Sequence, residues 1–322
     1  SLEFRQRCAL KGFLHTSSYD QAIAAYLSNN LSSASGEGEV PQQYTLSGKQ
    51  LQSLRYGENP HQSAAWYQTG TTPAGWAAAT KLQGKELSYN NLVDLEAARR
   101  IISEFPDSPA ATIIKHTNPC GVALGNTLQQ AYQKAFNADS VSAFGGIVAL
   151  NRPLDAGTAT ELTKTFLECV VAPDCDAEAQ DILAAKSKVR VLILPELSSG
   201  PKVTVKVLAG GFLLQASDDT VADTSKWQVV TDKKPTDDEL AELLFAWKVC
   251  KHVKSNAIVV SGDRTTLGVG AGQMNRVGSV KIALEQAAEK TQGAILASDG
   301  FFPFDDSVRT AAAAGIKAIV QP

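Results

Sequence analysis

A single methionine, Met274, and four histidines are spread over 322 residues, so each histidine must be weighed individually. The five cysteines, Cys8, Cys120, Cys169, Cys175 and Cys250, are odd in number and include no C-x-x-C pair. That spacing excludes a disulfide framework and a structural zinc site, and fits reduced thiols in a cytoplasmic protein. No apolar run approaches the roughly 18–20 residues of a membrane span, and Ser1–Arg5 shows no signal-peptide core. There is no basic excess either. Thirty Lys and Arg against 33 Asp and Glu leave a net charge of −3, too little positive charge to neutralise a nucleic-acid backbone. An anionic small molecule would have to meet a local cationic pocket. With no Met at its start, the N-terminus reads as a cut within a longer protein.

With 44% hydrophobic and 20% charged residues the chain has enough apolar material for one large domain or two ordinary ones. Residues 1–30 read as helix, most clearly over Tyr19–Leu27. The polar, Gly/Ser-rich stretch that follows reads as a linker at 31–40. Beyond it, helical faces alternate with short apolar runs. Leu95, Ala98, Ile102 and Phe105 mark one face, stopped by Pro106. Leu128, Ala131, Tyr132, Ala135 and Phe136 mark another. Thr236-Asp237-Asp238-Glu239 is a capping box, followed at helical spacing by Leu240, Leu243, Leu244 and Trp247. The apolar runs are Ala111–Ile114, Gly146–Leu150, Val189–Leu194, Ala257–Val260, Ala294–Ala297 and Ile316–Val320. The alternation predicts an α/β fold with a substantially parallel sheet.

An internal repeat accompanies it. A helix, Ala111–Ile114, a polar turn and Gly121–Gly125 correspond to a helix, Asn256–Val260, a polar turn and Gly268–Gly272. Each half continues with a helix and a strand, a Pro and acidic turn (Pro153-Leu154-Asp155; Pro303-Phe304-Asp305), another helix, and a strand ending in Pro. The matching order predicts two similar lobes.

Four segments carry groups that do chemistry. Ile113–Gly121 delivers Lys115 and His116 to the carboxyl end of a strand, where open α/β sheets bind ligands, with Pro119 and Gly121 expected to force the turn. A histidine there trades protons near neutrality. Leu54–Gln62 gathers Arg55, Tyr56, Asn59, His61 and Gln62 around Gly57 and Pro60, with Arg55 suited to a phosphate. Gly268–Arg276 fits no nucleotide motif. Gln273 stands where a phosphate-loop glycine is required, and Asn275 where a third dinucleotide-motif glycine would be sought. Close strand–helix packing is the plainer reading of those glycines, with Arg276 at a helix start as an anion contact. Ala297–Asp306 places Phe301, Phe302 and Phe304 at a strand exit, as a satellite core or as a wall for a flat ring. Ser142–Gly146 is a similar aromatic–glycine turn.

Taken in order, LRYGENPHQ (54–62), LSYNNLVD (87–94), KHTNPCG (115–121), SAFGG (142–146), GGFLLQ (210–215), Ser255-Asn256, GAGQMNR (270–276) and SDGFFPF (298–304) make residues ~40–322 resemble the AICAR transformylase family. Residues 1–27 resemble the end of the inosinate cyclohydrolase domain that precedes it. The resemblance implies an α/β fold of two cytidine-deaminase-like lobes in tandem, at 41–200 and 201–322, behind a cyclohydrolase remnant at 1–30. It also implies an intertwined cytoplasmic homodimer with shared sites. The implied reaction transfers a formyl group from 10-formyltetrahydrofolate to AICAR, with no catalytic metal and room for a structural monovalent cation. No nucleic acid or membrane is implied as a partner. Lys115, His116 and Asn256 match the family's catalytic positions. Arg55, Tyr56, Asn91, Phe144, Gly145 and Glu168 match its ribotide-site positions. Arg276, Phe301, Pro303 and Phe304 match its folate side. The family continues past Pro322 with a segment that reaches the active site, so the second lobe is expected to be incomplete. The full-length protein is expected to be a cyclohydrolase as well.

Two other classes remain to be weighed. A non-catalytic nucleotide- or folate-binding protein would bind without turnover. A zinc deaminase needs H-x-E and P-C-x-x-C. Here Thr117-Asn118 follows His116, and Gly121-Val122-Ala123 follows Pro119-Cys120, so the ligands are missing from the motif. Elemental analysis of purified protein should therefore find no stoichiometric zinc. One tightly held zinc per chain, removed together with activity, would favour the deaminase class instead.

Overall fold

The computed structural model describes residues 1–32 and 43–322. From residue 33 on, the linker read at 31–40 lies outside the described residues. In chain order the elements are α1 (Leu2–Ser32), β1 (Lys49–Leu54), β2 (Ala64–Gln68), β3 (Thr80–Gln83), α2 (Tyr89–Ile102), β4 (Ala110–Lys115), β5 (Asn118–Leu124), α3 (Leu128–Ala138), β6 (Ile147–Leu150), α4 (Ala156–Leu162), β7 (Cys169–Ala172), α5 (Ala177–Ala184), β8 (Arg190–Ile193), β9 (Val203–Leu208), β10 (Gly211–Ala216), α6 (Asp237–Cys250), β11 (Ile258–Gly262), β12 (Thr265–Gly270), α7 (Arg276–Ala287), β13 (Ile295–Ser298), α8 (Asp306–Ala313) and β14 (Ala318–Val320). They fall into two compact units, 1–46 with 202–218, and 47–201 with 219–322.

The smaller unit holds the long helix α1 and the antiparallel hairpin β9–β10, with the Tyr44 and Phe212 rings 6.0 Å apart. No described helix is long and apolar enough to cross a membrane.

The larger unit is mixed α/β. It holds the β1–β2 hairpin and one ten-stranded sheet in the order β14-β13-β11-β12-β5-β4-β6-β7-β8-β3. The expected substantially parallel sheet is corrected here. Only β13–β14, β6–β7 and β7–β8 pair in parallel; the other six joints are antiparallel. Two hairpins account for most of the difference. β4 and β5 are separated only by His116-Thr117, and β11 and β12 only by Asp263-Arg264. Strands two residues apart cannot be parallel, because a parallel crossover needs a dozen residues or more. All four turn residues have positive φ, as a tight two-residue hairpin requires, but none is the Gly or Asn that announces such a turn in sequence. The turn after Lys115 is therefore made by His116-Thr117, and Pro119 and Gly121 lie inside β5.

Along each strand, alternate residues enter opposite layers. Ile114, Ile147, Cys169, Val171 and Val259 pack with Leu95, Ala98, Ile101 and Ile102 of α2 and with Phe245, Ala246 and Val249 of α6. On the other face, Ile113, Val148 and Val170 meet α3, α4 and α5, while Ile258, Val260 and Leu296 meet α7. The first layer crosses the middle of the sheet: Phe105 and Phe245 have ring centroids 5.4 Å apart. Glu104 there accepts from Lys251 Nζ at 3.0 Å and meets His252 Nε2 at 2.9 Å. Burial acts to raise the Glu104 carboxyl, but those two partners outweigh it and hold it below the usual range.

Helix starts follow their caps. Ser88 and Asn91 form a capping box on α2, and Thr236 and Glu239 form the expected one on α6. The buried stripe of α6 is Glu242, Leu243, Phe245, Ala246, Val249 and Cys250, so of the four apolar residues read as its face only Leu243 is buried.

The same order of elements recurs on both sides of the β5–β12 joint. Helix, hairpin, helix, strand, helix, strand are α2, β4–β5, α3, β6, α4, β7 and then α6, β11–β12, α7, β13, α8, β14. The pairing senses also agree: β4–β6 and β11–β13 are antiparallel, β6–β7 and β13–β14 parallel. Even the glycines correspond. A Cβ on Gly121 would sit 1.9 Å from the Ala135 carbonyl of α3, and one on Gly268 would sit 1.9 Å from the Ala283 carbonyl of α7. Both glycines allow a helix to lie directly on a strand, which is the packing reading of the 268–272 glycines. Gly121→Ala and Gly268→Ala should each cost about 1–3 kcal/mol or more, since backbone and not a pliable side chain must move. Urea unfolding measures this, and an unchanged midpoint in either variant would contradict the close contact.

Candidate functional site

Register brings most of the expected residues to one end of the large sheet. Lys115 closes β4, whose Ile114 pairs with Ile147 at the start of β6; Ile147 pairs with Cys169, and Cys169 with Arg190. Across the middle, Ile258 at the start of β11 pairs with both Gly270 and Ser298, the ends of β12 and β13. β12 runs antiparallel to β5, so the Gly270 end lies beside Asn118. Lys115, His116, Phe144, Gly145, Glu168, Asn256, Arg276 and Phe301 therefore belong to the same end.

The Lys115–His116 turn is held from three directions. Lys115 Nζ donates to the Phe144 carbonyl, which precedes Gly145 (φ 70°). Thr117 N–H donates to Asp94 Oδ1 of α2 at 2.7 Å. Asn118 donates through Nδ2 to the His116 carbonyl at 3.3 Å and accepts the Lys254 N–H through Oδ1 at 3.1 Å. Asn118 thus bridges the Lys-His turn to the segment that carries Asn256. His116 itself is exposed. Burial raises the Asp94 carboxyl above its usual range, against the opposing pull of the Thr117 N–H, His116 and Lys115.

The second cluster is centred on Asn256. Its Nδ2 donates to the Gln273 carbonyl at 2.7 Å and its Oδ1 accepts from Arg276 Nη2 at 2.8 Å. Arg276 Nη1 also donates to Ser298 Oγ at 3.0 Å and to Asp299 Oδ1. The guanidinium is thereby neutralised inside the protein and serves to pin Asn256. An amide whose oxygen accepts from a cation is polarised, so its second N–H hydrogen is a better donor to an outside acceptor. Asp299 also accepts the Ala257 N–H at 2.9 Å. Burial would raise its carboxyl, but hydrogen bonds from the Ser255 hydroxyl, Ala257 N–H and Arg276 outweigh burial and hold it low.

The remaining expected residues have varied settings. Glu168 pairs with Arg190 at 2.7 Å, and Arg190 also donates to the Glu86 carbonyl at 2.9 Å. Phe144 stands 5.5 Å from the Phe166 ring and is 59% exposed. Phe301 and Phe304 are 64% and 72% exposed, whereas Phe302 packs against the α7 core. Two of the three rings are thus free to meet a flat ligand and one is core. Pro303 lies exposed between them. Asn91 is buried as the second partner of the α2 capping box. The Arg55 guanidinium lies 5.6 Å from the Tyr56 ring centre in a loop whose Glu58 carbonyl accepts from Asn90 of α2 at 3.4 Å. Among the described residues no hydrogen bond or ion pair joins Arg55 or Tyr56 to the Lys-His turn.

Sequence reading missed Asp94, Asn118, Gln273 and Asp299 as site residues. Each lies inside a motif already singled out, but its role depends on a partner far along the chain. Among the described residues no group of three or more His, Cys, Asp or Glu is arranged to hold a metal.

A model of the AICARFT/IMPCHase bienzyme family matches residues 1–286. The chain is 80% identical over 322 residues to the bifunctional purine biosynthesis protein PurH of Nostoc punctiforme and 78% identical to that of Trichormus variabilis. In both comparisons all of this chain and 62% of the relative are covered, so the chain spans less than two thirds of these proteins. A solved structure of Acinetobacter baumannii RibD overlaps 33% of this chain and 35% of its own at 22% identity, with a TM-score of 0.23, too little to bear on the fold.

The Asp299 setting generates a pH prediction. A carboxyl held low in the folded state stabilises above its unfolded pKa, near 3.8, and that stabilisation is lost as pH falls through the lower folded value. Asp299→Asn should therefore lower stability at neutral pH, and the difference from wild type should shrink in acid. A difference that stays constant from pH 7 to pH 2 would show that Asp299 is not ionised in the cluster.

Proposed function

The chain belongs to the AICARFT/IMPCHase bienzyme family, and on that premise we propose that it transfers the formyl group of 10-formyltetrahydrofolate to the 5-amino group of AICAR, giving FAICAR and tetrahydrofolate. The observation that carries the reading is the Asn118 bridge, which ties the His116 turn to the Asn256–Arg276 cluster at one end of the sheet. Proton transfer and oxyanion donation are needed together in acyl transfer, and the bridge keeps their donors in one region.

The amine of the ribotide is conjugated to an imidazole bearing a carboxamide and is a weak nucleophile. As its nitrogen bonds to the formyl carbon, His116 takes the amine proton. Asn256 Nδ2 donates to the formyl oxygen as negative charge collects there, a contribution of roughly 2.7–4 kcal/mol per donor. When the carbon–N10 bond breaks, the electron pair returns to the folate nitrogen, and Lys115 stabilises charge and helps return the proton. Arg55, Tyr56, Asn91, Phe144, Gly145 and Glu168 line the ribotide side. Phe301, Pro303 and Phe304 form the folate side, with Arg276 holding Asn256 toward it. A structural monovalent cation would lie outside these steps.

In the same reading the recurring halves at 41–200 and 201–322 are tandem cytidine-deaminase-like modules. Residues 1–30 are the end of a cyclohydrolase domain, and the working form is a cytoplasmic homodimer with shared sites. The full-length protein would also be an IMP cyclohydrolase.

The test is absorbance-monitored formyl transfer with purified protein, AICAR and 10-formyltetrahydrofolate. Binding of both substrates without turnover would mark a nucleotide- or folate-binding protein and defeat the proposal. Lys115→Ala and His116→Ala should each cut turnover by at least ~10²-fold with the fold intact; near-normal rates in either remove it from the mechanism. Asn256→Ala should lower kcat more than it weakens ribotide binding, because its bond strengthens as charge develops. A pure affinity loss would contradict that role.

A further inference from the structure

Asp94 and Glu242 occupy corresponding places in the two halves. Each stands six residues beyond the N-cap of its helix, Ser88 for α2 and Thr236 for α6. Each accepts the backbone N–H of the second residue of a two-residue hairpin turn. Thr117 N–H reaches Asp94 Oδ1 at 2.7 Å, and Arg264 N–H reaches Glu242 Oε2 at 2.9 Å. Both turns hold their two residues at positive φ, a backbone that side chains resist, a β-branched threonine most of all. A helix carboxylate clamping a strained hairpin is thus a device the molecule uses twice.

The surroundings differ. Glu242 is buried and accepts from Arg264 Nη1 at 2.8 Å and the Ser261 hydroxyl at 2.7 Å, so its charge is neutralised. Among the described residues no cation makes an ion pair with Asp94; the side chains that act on its charge are His116 and Lys115 of the turn it holds. The turns differ as well. Where the first half has Lys115-His116-Thr117, the second has Gly262-Asp263-Arg264 and no proton-transfer pair. The clamp is common to both, but only in the first half does the clamped turn carry reactive side chains.

We propose that Asp94 is the positioning residue of the Lys115–His116 site: by holding the Thr117 N–H it fixes the left-handed backbone of His116 and Thr117, and so sets the direction in which the His116 imidazole meets the substrate amine. The direction of a side chain follows from its backbone angles, so a relaxed turn would swing the imidazole away. The element required is the acceptor oxygen, which Asn supplies as well as Asp. This rests on the formyl-transfer reading for its consequence and on geometry alone for the clamp.

The experiment compares wild type, Asp94→Ala, Asp94→Asn and Glu242→Gln by amide hydrogen exchange at Thr117 and by kcat and KM. Asp94→Ala should expose the Thr117 amide to exchange and lower kcat by about 10²-fold, the scale of a misplaced reacting group, with little change in ribotide KM. Asp94→Asn should keep Thr117 protected and recover most of the lost rate, which a purely ionic role would not allow. Glu242→Gln should lower Tm and leave the kcat of folded protein unchanged. Asp94→Ser, too short to reach Thr117, is read in the same way as Asp94→Ala if the alanine variant does not stay folded. Unchanged Thr117 exchange in Asp94→Ala, or equal rate losses in the Ala and Asn variants, overturns the proposal. Wild-type protein that exchanges as expected but transfers no formyl group refutes the formyl-transfer reading and leaves the clamp established.

Discussion

The larger unit depends on the joint between β5 and β12. There Thr265 pairs with Ala123, Leu124 N–H donates to the Arg264 carbonyl at 2.9 Å, and Val122 N–H donates to the Thr266 hydroxyl at 3.0 Å. Without it, two strand sets would each present an unpaired edge of backbone donors and acceptors. With it, they become one sheet, and the ends of β4, β12 and β13 fall at the same margin as the starts of β5, β6 and β11. That is what allows Asn118 on one set to meet Lys254 on the other.

Two further features reinforce the joint. Gly121 and Gly268 lie in the joined strands and let α3 and α7 press onto the backbone. On the opposite face α2 and α6 share one apolar layer, closed by Phe105 against Phe245 and by Glu104 between Lys251 and His252. A half-buried carboxylate costs free energy unless it is paired, so Glu104 ties the far ends of both helices together as well as satisfying its own charge. The site is therefore held by rigid elements, with His116, Phe144, Phe301 and Phe304 exposed toward solvent.

The two helix–hairpin clamps show how one scaffold serves unequal ends. Glu242 sits in a neutralised, buried network whose turn bears Asp263 and Arg264. Asp94 holds a turn bearing Lys115 and His116, and its carboxyl is raised by burial against the pull of those same groups. The difference lies in which side chains the turn carries, while the backbone geometry is shared.

Several features were legible from sequence because their causes are local. The cap at Thr236 depends on residues three apart, the apolar strands on short runs, and the repeat on the order of these pieces. Lys115, His116 and the aromatic turns stood out as residue types unusual at strand ends, whereas Asn256 was reached only through the family resemblance. The sense of the sheet was not legible, because His116-Thr117 and Asp263-Arg264 make tight turns without the glycine or asparagine that signals one, and tertiary contacts from Asp94 and Glu242 hold them. The buried stripe of α6 was misread because α6 carries apolar residues on two sides, and the layer takes the side of Phe245, Ala246, Val249 and Cys250, turned away from Leu240, Leu244 and Trp247. Composition and spacing thus determined the α/β class, the strands and the candidate chemistry. Only the tertiary structure decided which strand ends meet, that Arg276 is consumed by Asp299 and Asn256, and that Asp94 and Asn118 hold the His116 turn. Those interactions join residues 20 to 136 positions apart, and no local rule of sequence reaches so far.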